Sequence, residues 1–362
     1  EVTSDCNDFF SESITDIILA TNVAETSITI PNVTYIIDSG LVKRKIYDYE
    51  TGKSYFVQGW ISKSAAIQRT GRTGRTCKGH CYRLYPASKY YGEFADEEAP
   101  EISKSILEPI ILSLMDIGVK NPNTLNLLSP FEKSRYTKAL ENLERIEAVD
   151  DSGITLKGRF LASLPMSPTF GNIIFHLSSI DVSPATFWAA VLVAVILSFE
   201  KVNSSDLSLA KSNAAKLKCE PLIEALNLLE IWKEKGNDIM RCGRSLIDIE
   251  KSFFQIIEVL RPLFPSLCEV STSSIDLGHI ESQKIRQVIF MSFGENLAYR
   301  DSFCKMSKTF RYRLSNGDYA FIDNNSVYKD MSPKCVVFTE LRSSSQKSYM
   351  HRITVVSSDW LK

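Results

Sequence analysis

The sequence predicts a multidomain chain of mixed class, α/β then α then β: a partial parallel sheet first, a helical block in the middle and a small β-barrel at the end. Three observations carry this. Two short, continuous apolar runs, Ile17–Ala20 and Val33–Ile37, come early and end in polar residues, the pattern of strands covered on both faces of a parallel sheet. Residues 168 to about 265 read as nearly all helical, with a polar break from Asn203 to Ser208. From Ile285 the period shortens toward two, in brief runs divided by polar turns, as strands require. The 362 residues leave room for two to four domains.

The elements follow in order. Thr21, Asn22 and Asp38 stand at the carboxyl ends of the two early strands, where ligands gather in open parallel sheets. Lys43 to Trp60 reads as a hairpin turning at Glu50-Thr51-Gly52. A helix begins at Ser64, and Cys81–Tyr85 is a further strand closed by Pro86. Ser129-Pro130-Phe131-Glu132 predicts a helix start, with Ser129 as cap, Pro130 in the first position and Glu132 three residues on. The turn at Asp150–Gly153, the short strand Ile154–Leu156 and a helix to Ser163 make a compact order that suggests a winged helix. Thr309–Leu314, Tyr319–Ile322, Cys335–Glu340 and His351–Val356 are expected strands of an OB-fold barrel, with a hairpin turn at Asn316-Gly317.

Composition is that of an ordinary globular protein, 44% hydrophobic and 23% charged, with a formal net charge of −1. The charge is uneven. Eleven Lys/Arg lie between Leu41 and Tyr90 against Asp48 and Glu50 alone, and an acidic run from Glu93 to Glu101 follows. Such a stripe suits a groove that holds phosphates; a solvated charged face is the other reading. Of eight cysteines, Cys77 and Cys81 flank His80 closely, but a zinc site needs four ligands and no second pair accompanies them. No metal site is expected, and the cysteines read as reduced thiols of an intracellular protein. Val182–Phe199 approaches the length of a membrane span, yet Pro184 and Thr186 sit in its first third without a flanking basic cluster. It is read as a buried core helix, so no membrane is expected. The chain opens without Met, and Ile17–Ala20 reads as a central strand lacking earlier neighbours; a fragment or partial product is the expectation.

The decisive stretch is Gln68-Arg69-Thr70-Gly71-Arg72-Thr73-Gly74-Arg75. Arginines at i, i+3 and i+6 place three planar cations on roughly one side of a helical turn, and the glycines let backbone approach a ligand. Arginine makes bidentate contacts with phosphate oxygens and can neutralise charge on a transferred phosphoryl group.

This octet resembles motif VI of superfamily 2 helicases, QRxGRxGR. Upstream, Ala20–Ile30 (ATNVAETSITI) resembles motif V of the DEAH-box family almost residue for residue. Gly79–Tyr85 is similar to the family's GxCYRLY strand. Leu156–Arg159 with Leu164–Pro168 resembles its winged-helix segment, and Ser358–Leu361 its closing residues. Thr70 and Thr73 depart from the family, which has alanine there. A phosphate-binding Walker A motif is missing: Gly52-Lys53-Ser54 comes near, but Tyr47 stands where its first glycine belongs and the setting is a hairpin. Asp-Glu-Ala-His does not occur either.

The resemblance implies the C-terminal part of an ATP-dependent RNA helicase. Residues 1–100 would be the end of a second RecA-like domain, 101–167 a winged helix, 168–284 a helical bundle called the ratchet, and 285–362 an OB-fold. Gln68, Arg72 and Arg75 would face the ATP γ-phosphate, Gln68 near the attacking water and the arginines as fingers, with Asp38 added to the ATP-binding set; Arg69 would make a structural ion pair. Thr21 and Asn22 would touch the RNA backbone, Thr26 and Ser27 would couple that contact to the nucleotide, and Lys43 and Arg44 would line a strand-guiding hairpin. Arg311 and Arg313 extend the RNA surface into the barrel, where Phe310 and Tyr312 read either as base-stacking rings or as core. ATP and Mg2+ would bind mainly to a first RecA-like domain not in this chain, so the chain alone should not hydrolyse ATP. Expected partners are single-stranded RNA and ribonucleoprotein particles and, by family analogy, a G-patch activator protein. The expected setting is ribosome biogenesis or pre-mRNA splicing in the nucleus, with nucleolus or cytoplasm as places of work. The competing class is a non-catalytic RNA- or protein-binding module derived from a helicase.

Overall fold

The computed structural model describes residues 17–26, 30–48, 53–74, 78–199, 216–235, 244–268, 280–304, 309–344 and 347–361. They form two compact units, Glu1–Tyr47 with Tyr55–Ser105, and Asp48–Ser54 with Ile106–Lys362. In the first unit, β1 (Tyr35–Asp38) pairs in parallel with β4 (His80–Arg83), Tyr35 opposite His80 and Asp38 opposite Arg83. Between them run β2 (Leu41–Asp48) and β3 (Lys53–Trp60), the expected hairpin, whose turn lies outside the described residues. The short helix α1 (Val23–Thr26) precedes β1. Helix α2 (Lys63–Thr70) begins where Ser62 caps it, accepting the amide of Ala65 at 3.1 Å. Helix α3 (Ala87–Gly92) follows β4. Ile61, Ala65, Ala66, Tyr85 and Phe94 make the core, with Trp60 and Tyr90 stacked at its margin.

One side of the β1–β4 pair is open. Tyr35, Ile37, Tyr82 and Leu84 are exposed, and the Tyr35 ring stacks on His80 and Tyr82 at 5.8 and 6.4 Å. Ile17–Ala20 does not form the expected strand: only Ala20 makes a bridge, and the rest is coil. A strand needs a partner along its length, and among the described residues the parallel ladder here joins β1 and β4 alone.

The second unit opens with helices α4 (Glu108–Asp116) and α5 (Lys133–Arg145), a two-stranded hairpin of β5 (Val149–Asp150) and β6 (Gly153–Ile154), and α6 (Leu156–Ser163). Helix α5 starts three residues later than its sequence suggests. Glu132 is the cap residue, and buried Phe131 packs on Tyr136 with ring centroids 5.5 Å apart. Ser129-Pro130 therefore leads into a hydrophobic staple rather than forming the cap itself. Thr155 caps α6 by accepting the amide of Gly158 at 2.9 Å.

Helices α7 (Pro168–Ser178), α8 (Pro184–Ser198), α9 (Glu220–Lys235), α10 (Arg244–Leu260), α11 (Pro265–Cys268) and α12 (Ser282–Phe293) follow. The polar break expected at 203–208 lies outside the described residues. Helix α8 is buried from Thr186 to Leu197 and serves as the axle of the bundle, packed by α7, α9, α10 and α11. A helix apolar all round needs neighbours all round. None of the described helices is long and apolar enough to cross a membrane.

Residues from Ile285 were expected to turn toward strands, but 282–293 are helix α12, because Ile285, Val288, Ile289 and Phe293 fall on one face toward the bundle core. The sheet begins at β7 (Leu297–Cys304) and continues with β8 (Thr309–Leu314), β9 (Tyr319–Ile322), β10 (Cys335–Val337), β11 (Glu340–Ser344), β12 (Lys347–His351) and β13 (Thr354–Val355). Its order is β13-β10-β7-β8-β9-β12-β11. The expected strand Cys335–Glu340 is divided between β10 and β11. Gly317 at φ +88° turns the β8–β9 hairpin where Asn316-Gly317 predicts it.

A buried carboxylate ties the bundle to this sheet. Glu220, at the start of α9, accepts the amides of Val327 at 3.1 Å and Ile353 at 2.8 Å and the hydroxyl of Ser326. Burial pushes its carboxyl from the ordinary 4.5 up to about 7, against the pull of those three donors. The folded chain thus holds this proton more tightly than the unfolded chain does. Its contribution to stability is full below about pH 4.5 and is lost as pH climbs through about 7. Glu220→Gln should lower the melting temperature, since the amide NH2 that replaces Oε2 sets a donor against the Ile353 N–H, and should flatten the decline between pH 5 and 8 relative to the parent chain. An unchanged pH slope in thermal melts would count against this account.

Candidate functional site

The carboxyl end of β1 delivers Asp38 into the interior of the first unit, where it is 3% exposed. Its Oδ1 accepts from Arg69 Nη1 at 2.8 Å and from the amide of Gly40 at 3.0 Å, and its Oδ2 accepts from the Tyr85 hydroxyl at 3.2 Å. Gly40 has φ +71°, and a Cβ there would meet the Tyr85 ring at 2.5 Å, so this turn requires glycine. Burial, then the Asp38 charge, pushes the Tyr85 phenol up to about 12, which keeps it a donor. Arg69 also donates from Nε to Glu25 at 3.1 Å and reaches the carbonyl of Leu41. Desolvation works against the guanidinium, but the hydrogen bonds of Asp38 and Glu25 prevail and its pKa is raised. Arg69, expected in a structural pair, is in one. Asp38, expected in the nucleotide-binding set, has both oxygens committed inside the domain.

The two threonines that stand in for alanine are engaged. Thr70 Oγ1 donates to the carbonyl of Ala66 at 2.9 Å and accepts from Arg83 at 3.3 Å. Thr73 Oγ1 donates to the carbonyl of Val33 at 2.6 Å. Gly79 lies so close that a Cβ there would come within 1.8 Å of that hydroxyl. The Thr73 bond fastens the loop after α2, which carries half-buried Arg72, to the segment just before β1, and the Arg83 contact ties the end of α2 to β4. The sequence marks both threonines as departures from the family and gives Glu25 and Tyr85 no role. The signals were an acid in a strand-to-helix segment and a tyrosine just past a strand end.

A cleft of about 680 Å³ opens beside this network, lined among others by Asn22, Glu25, Lys43, Arg44, Gln68 and Glu98. It brings together four residues singled out from sequence: Asn22, Lys43, Arg44 and Gln68. Gln68 is exposed, one helix position from the locked Arg69. Thr21 and Asn22 are exposed where α1 begins, their carbonyls accepting the amides of Ala24 and Glu25. Arg44 is braced: it donates to the carbonyl of Trp60 at 3.2 Å and pairs with Glu98, which also holds Lys104 at 3.1 Å. Ser27, Arg75 and the side chain of Thr26 lie outside the described residues. In the second unit, Arg313 is exposed on β8, and Arg311 pairs with Asp301 at 2.8 Å. Tyr312 is wholly buried with its hydroxyl on the carbonyl of Pro333 at 2.7 Å, and Phe310 packs against the same core. The choice between stacking ring and core thus falls to core for both.

Residues 3–77 match the family described as the helicase conserved C-terminal domain, and residues 285–362 match the oligonucleotide/oligosaccharide-binding (OB)-fold family. The chain is 27% identical over 348 residues to the Schizosaccharomyces pombe protein named pre-mRNA-splicing factor ATP-dependent RNA helicase prp22, covering 95% of this chain and 29% of that one. It is 35% identical over 193 residues to a probable ATP-dependent RNA helicase of Saccharomyces cerevisiae, DHR1, covering 53% of this chain and 15% of the relative. The ATP-dependent RNA helicase DEAH13 of Arabidopsis thaliana is 38% identical over 159 residues, 44% of this chain and 13% of its own length. The chain therefore spans less than a third of these relatives. The crystal structure of the E. coli DExH-box NTPase HrpB shares the fold, with a TM-score of 0.67 at 19% identity over 94% of this chain and 36% of that one.

Removing Arg69 strands a buried carboxylate. Arg69→Ala should cost about 3–5 kcal/mol of unfolding free energy, and Tyr85→Phe, which loses one hydrogen bond to Asp38, about 1–2 kcal/mol. Denaturant unfolding of the first unit checks both. Equal, small losses would show that the network does not hold the site.

Proposed function

Since this chain belongs to the DEAH-box RNA helicases, as a C-terminal portion of one, we propose that its parent protein couples ATP hydrolysis to movement along, and unwinding of, RNA. The observation that carries this reading is the locking of Arg69 by Asp38 and Glu25. With that arginine spent on structure, α2 offers Gln68 to the cleft it shares with Asn22, so a nucleotide contact and an RNA contact sit on one rigid frame.

Gln68 orients the water that attacks the γ-phosphate, and Arg72 and Arg75 neutralise the charge that builds on it. An amide and two guanidiniums fit the anionic oxygens of a polyphosphate. ATP supplies the phosphoryl group whose transfer drives the cycle. ATP and Mg2+ are held mainly by a domain outside this chain, and the chain alone does not turn over ATP. Asp38 acts by holding Arg69. Thr21 and Asn22 contact the RNA backbone, Thr26 and Ser27 link that contact to the nucleotide, and Lys43 and Arg44 meet the RNA along the strand-guiding hairpin. Arg311 and Arg313 extend the grip.

Residues 1–100 are assigned to a second RecA-like domain. Residues 101–167, where a small hairpin stands between helices, are the winged helix, 168–284 the ratchet and 285–362 the OB-fold. The partners are single-stranded RNA within ribonucleoprotein particles, with a G-patch protein as activator. The process is ribosome assembly or pre-mRNA splicing in the nucleus, and the splicing factor among the relatives supports the second.

In the full-length enzyme, Arg72→Ala should lower RNA-stimulated ATP turnover by about 10³-fold or more while changing RNA affinity less than about twofold. Steady-state ATPase and RNA-binding titrations decide it. Retained turnover, or RNA affinity lost in step with turnover, would sink the assigned role, and a full-length protein without ATPase would favour the non-catalytic module.

A further inference from the structure

The sequence sets an acidic run, Glu93 to Glu101, directly after the basic stripe, and the RNA reading leaves it without a task. In the first unit this run lies as a strap against the first turn of α2 and the hairpin strands. Its backbone is pinned. The carbonyls of Ala95 and Asp96 accept the amides of Lys63 and Ser64 at 2.8 and 3.1 Å, and Phe94 is buried in the core. Its carboxylates meet donors of the stripe. Asp96 accepts from Lys63 at 2.8 Å, and Glu93 accepts from the Trp60 indole at 3.0 Å and from Lys89. Surface pairs of this kind fasten the strap and contribute little else.

Glu98 is placed differently. It lines the cleft that also holds Asn22, Lys43 and Arg44, and it bridges two cations. One oxygen pairs with Arg44, and the other accepts from Lys104 at 3.1 Å. Burial works to raise its carboxyl, but the hydrogen bonds from Arg44 and Lys104 prevail and hold it below the ordinary carboxylate value, so it stays charged at neutral pH. Arg44 has a second anchor, since both Nη atoms donate to the carbonyl of Trp60 at 3.2 Å. The guanidinium therefore keeps its place when Glu98 leaves, and the Glu98 side chain, 37% exposed, has solvent to swing into. We propose that Glu98 stands in for an RNA phosphate: it occupies Arg44 and Lys104 while the cleft is empty, and RNA seats a phosphate there by displacing it. The proposal rests on the RNA reading of the hairpin above and adds to it a built-in brake.

A carboxylate matches a phosphodiester in what a guanidinium and an ammonium read, a negative charge spread over a pair of acceptor oxygens. Internal competition of this kind lowers affinity without changing which ligand is chosen. Glu97 and Glu101 line the same cleft, so a phosphate that arrives before Glu98 has moved meets carboxylates first and is repelled. Neutralising Glu98 alone frees two cations and removes one repelling charge, while the pinned backbone keeps the strap where it is.

The test uses the whole chain and a fluorescein-labelled oligouridylate, with affinity read by anisotropy at several salt concentrations. Glu98→Gln should tighten binding by about fivefold or more. Its slope of log affinity against log salt should steepen by about 0.7, the share of one further phosphate on a single strand. Glu93→Gln removes an equal charge from the same strap, where it does not line the cleft, and should stay within about twofold of the parent chain. Arg44→Gln should cost more affinity in the Glu98→Gln background than in the parent, because the cation it removes is then unmasked. Matching melting temperatures show that the variants fold, and Glu98→Ala is a second variant with the same gain expected. Glu98 variants that bind no tighter than the parent, or a gain that Glu93→Gln reproduces, overturn the brake and leave the RNA reading standing. An oligonucleotide that binds neither the parent nor the Glu98 variants overturns both.

Discussion

The ion pair between Asp38 and Arg69 is the constraint on which the first unit depends. It joins the end of a strand to the last turn of α2, and through Tyr85 it reaches the segment beyond β4. Removing an aspartate from water is costly, and the interior repays it only with a full set of donors. Here the set is complete: a guanidinium, a phenol and a backbone amide. Once this arginine is fixed, the helix phase of its neighbours is fixed too. Gln68 cannot turn inward without pulling Arg69 out. A polar interaction thus decides which side chains of a basic stretch face solvent, which a purely apolar core would leave less strictly specified.

The second unit is built on the opposite plan. Its centre is α8, whose burial from Thr186 to Leu197 removes a large apolar surface from water. Polar specificity enters at the edge, where Glu220 collects three donors from two segments of the barrel region. Hydrophobic packing tolerates small slides between layers, and hydrogen bonds to one carboxylate do not. The bundle supplies stability, while the carboxylate sets the position of the barrel segments around Ser326 and Ile353.

How much of this was legible in the sequence varied with the range of the interaction. The octet that opens at Gln68 and the strand-end position of Asp38 were readable because they depend on local spacing, whereas the strand expected before Asn22 did not form. The apolar helix at 184–198 and the turn at Gly317 were readable for the same reason. Ser129-Pro130 misled because a cap and a staple share their residue types, and only the packing of Phe131 on Tyr136 separates them. The boundary near Ile285 shifted because one helix face and one strand face can carry the same apolar residues over a few positions. The partners of Asp38 were out of reach, since Arg69 and Tyr85 lie 31 and 47 residues away. The sorting of Arg313 from Tyr312 also needed the register, because a shift of one residue exchanges the faces of a strand.

The bare side of the β1–β4 pair carries a consequence for anyone handling this polypeptide. Tyr35, Ile37, Tyr82 and Leu84 form a continuous greasy ridge over two strands, and water makes such a ridge adhesive. An exposed apolar ridge of this kind is a place where chains adhere to one another, and a charge at Ile37 would oppose that adhesion.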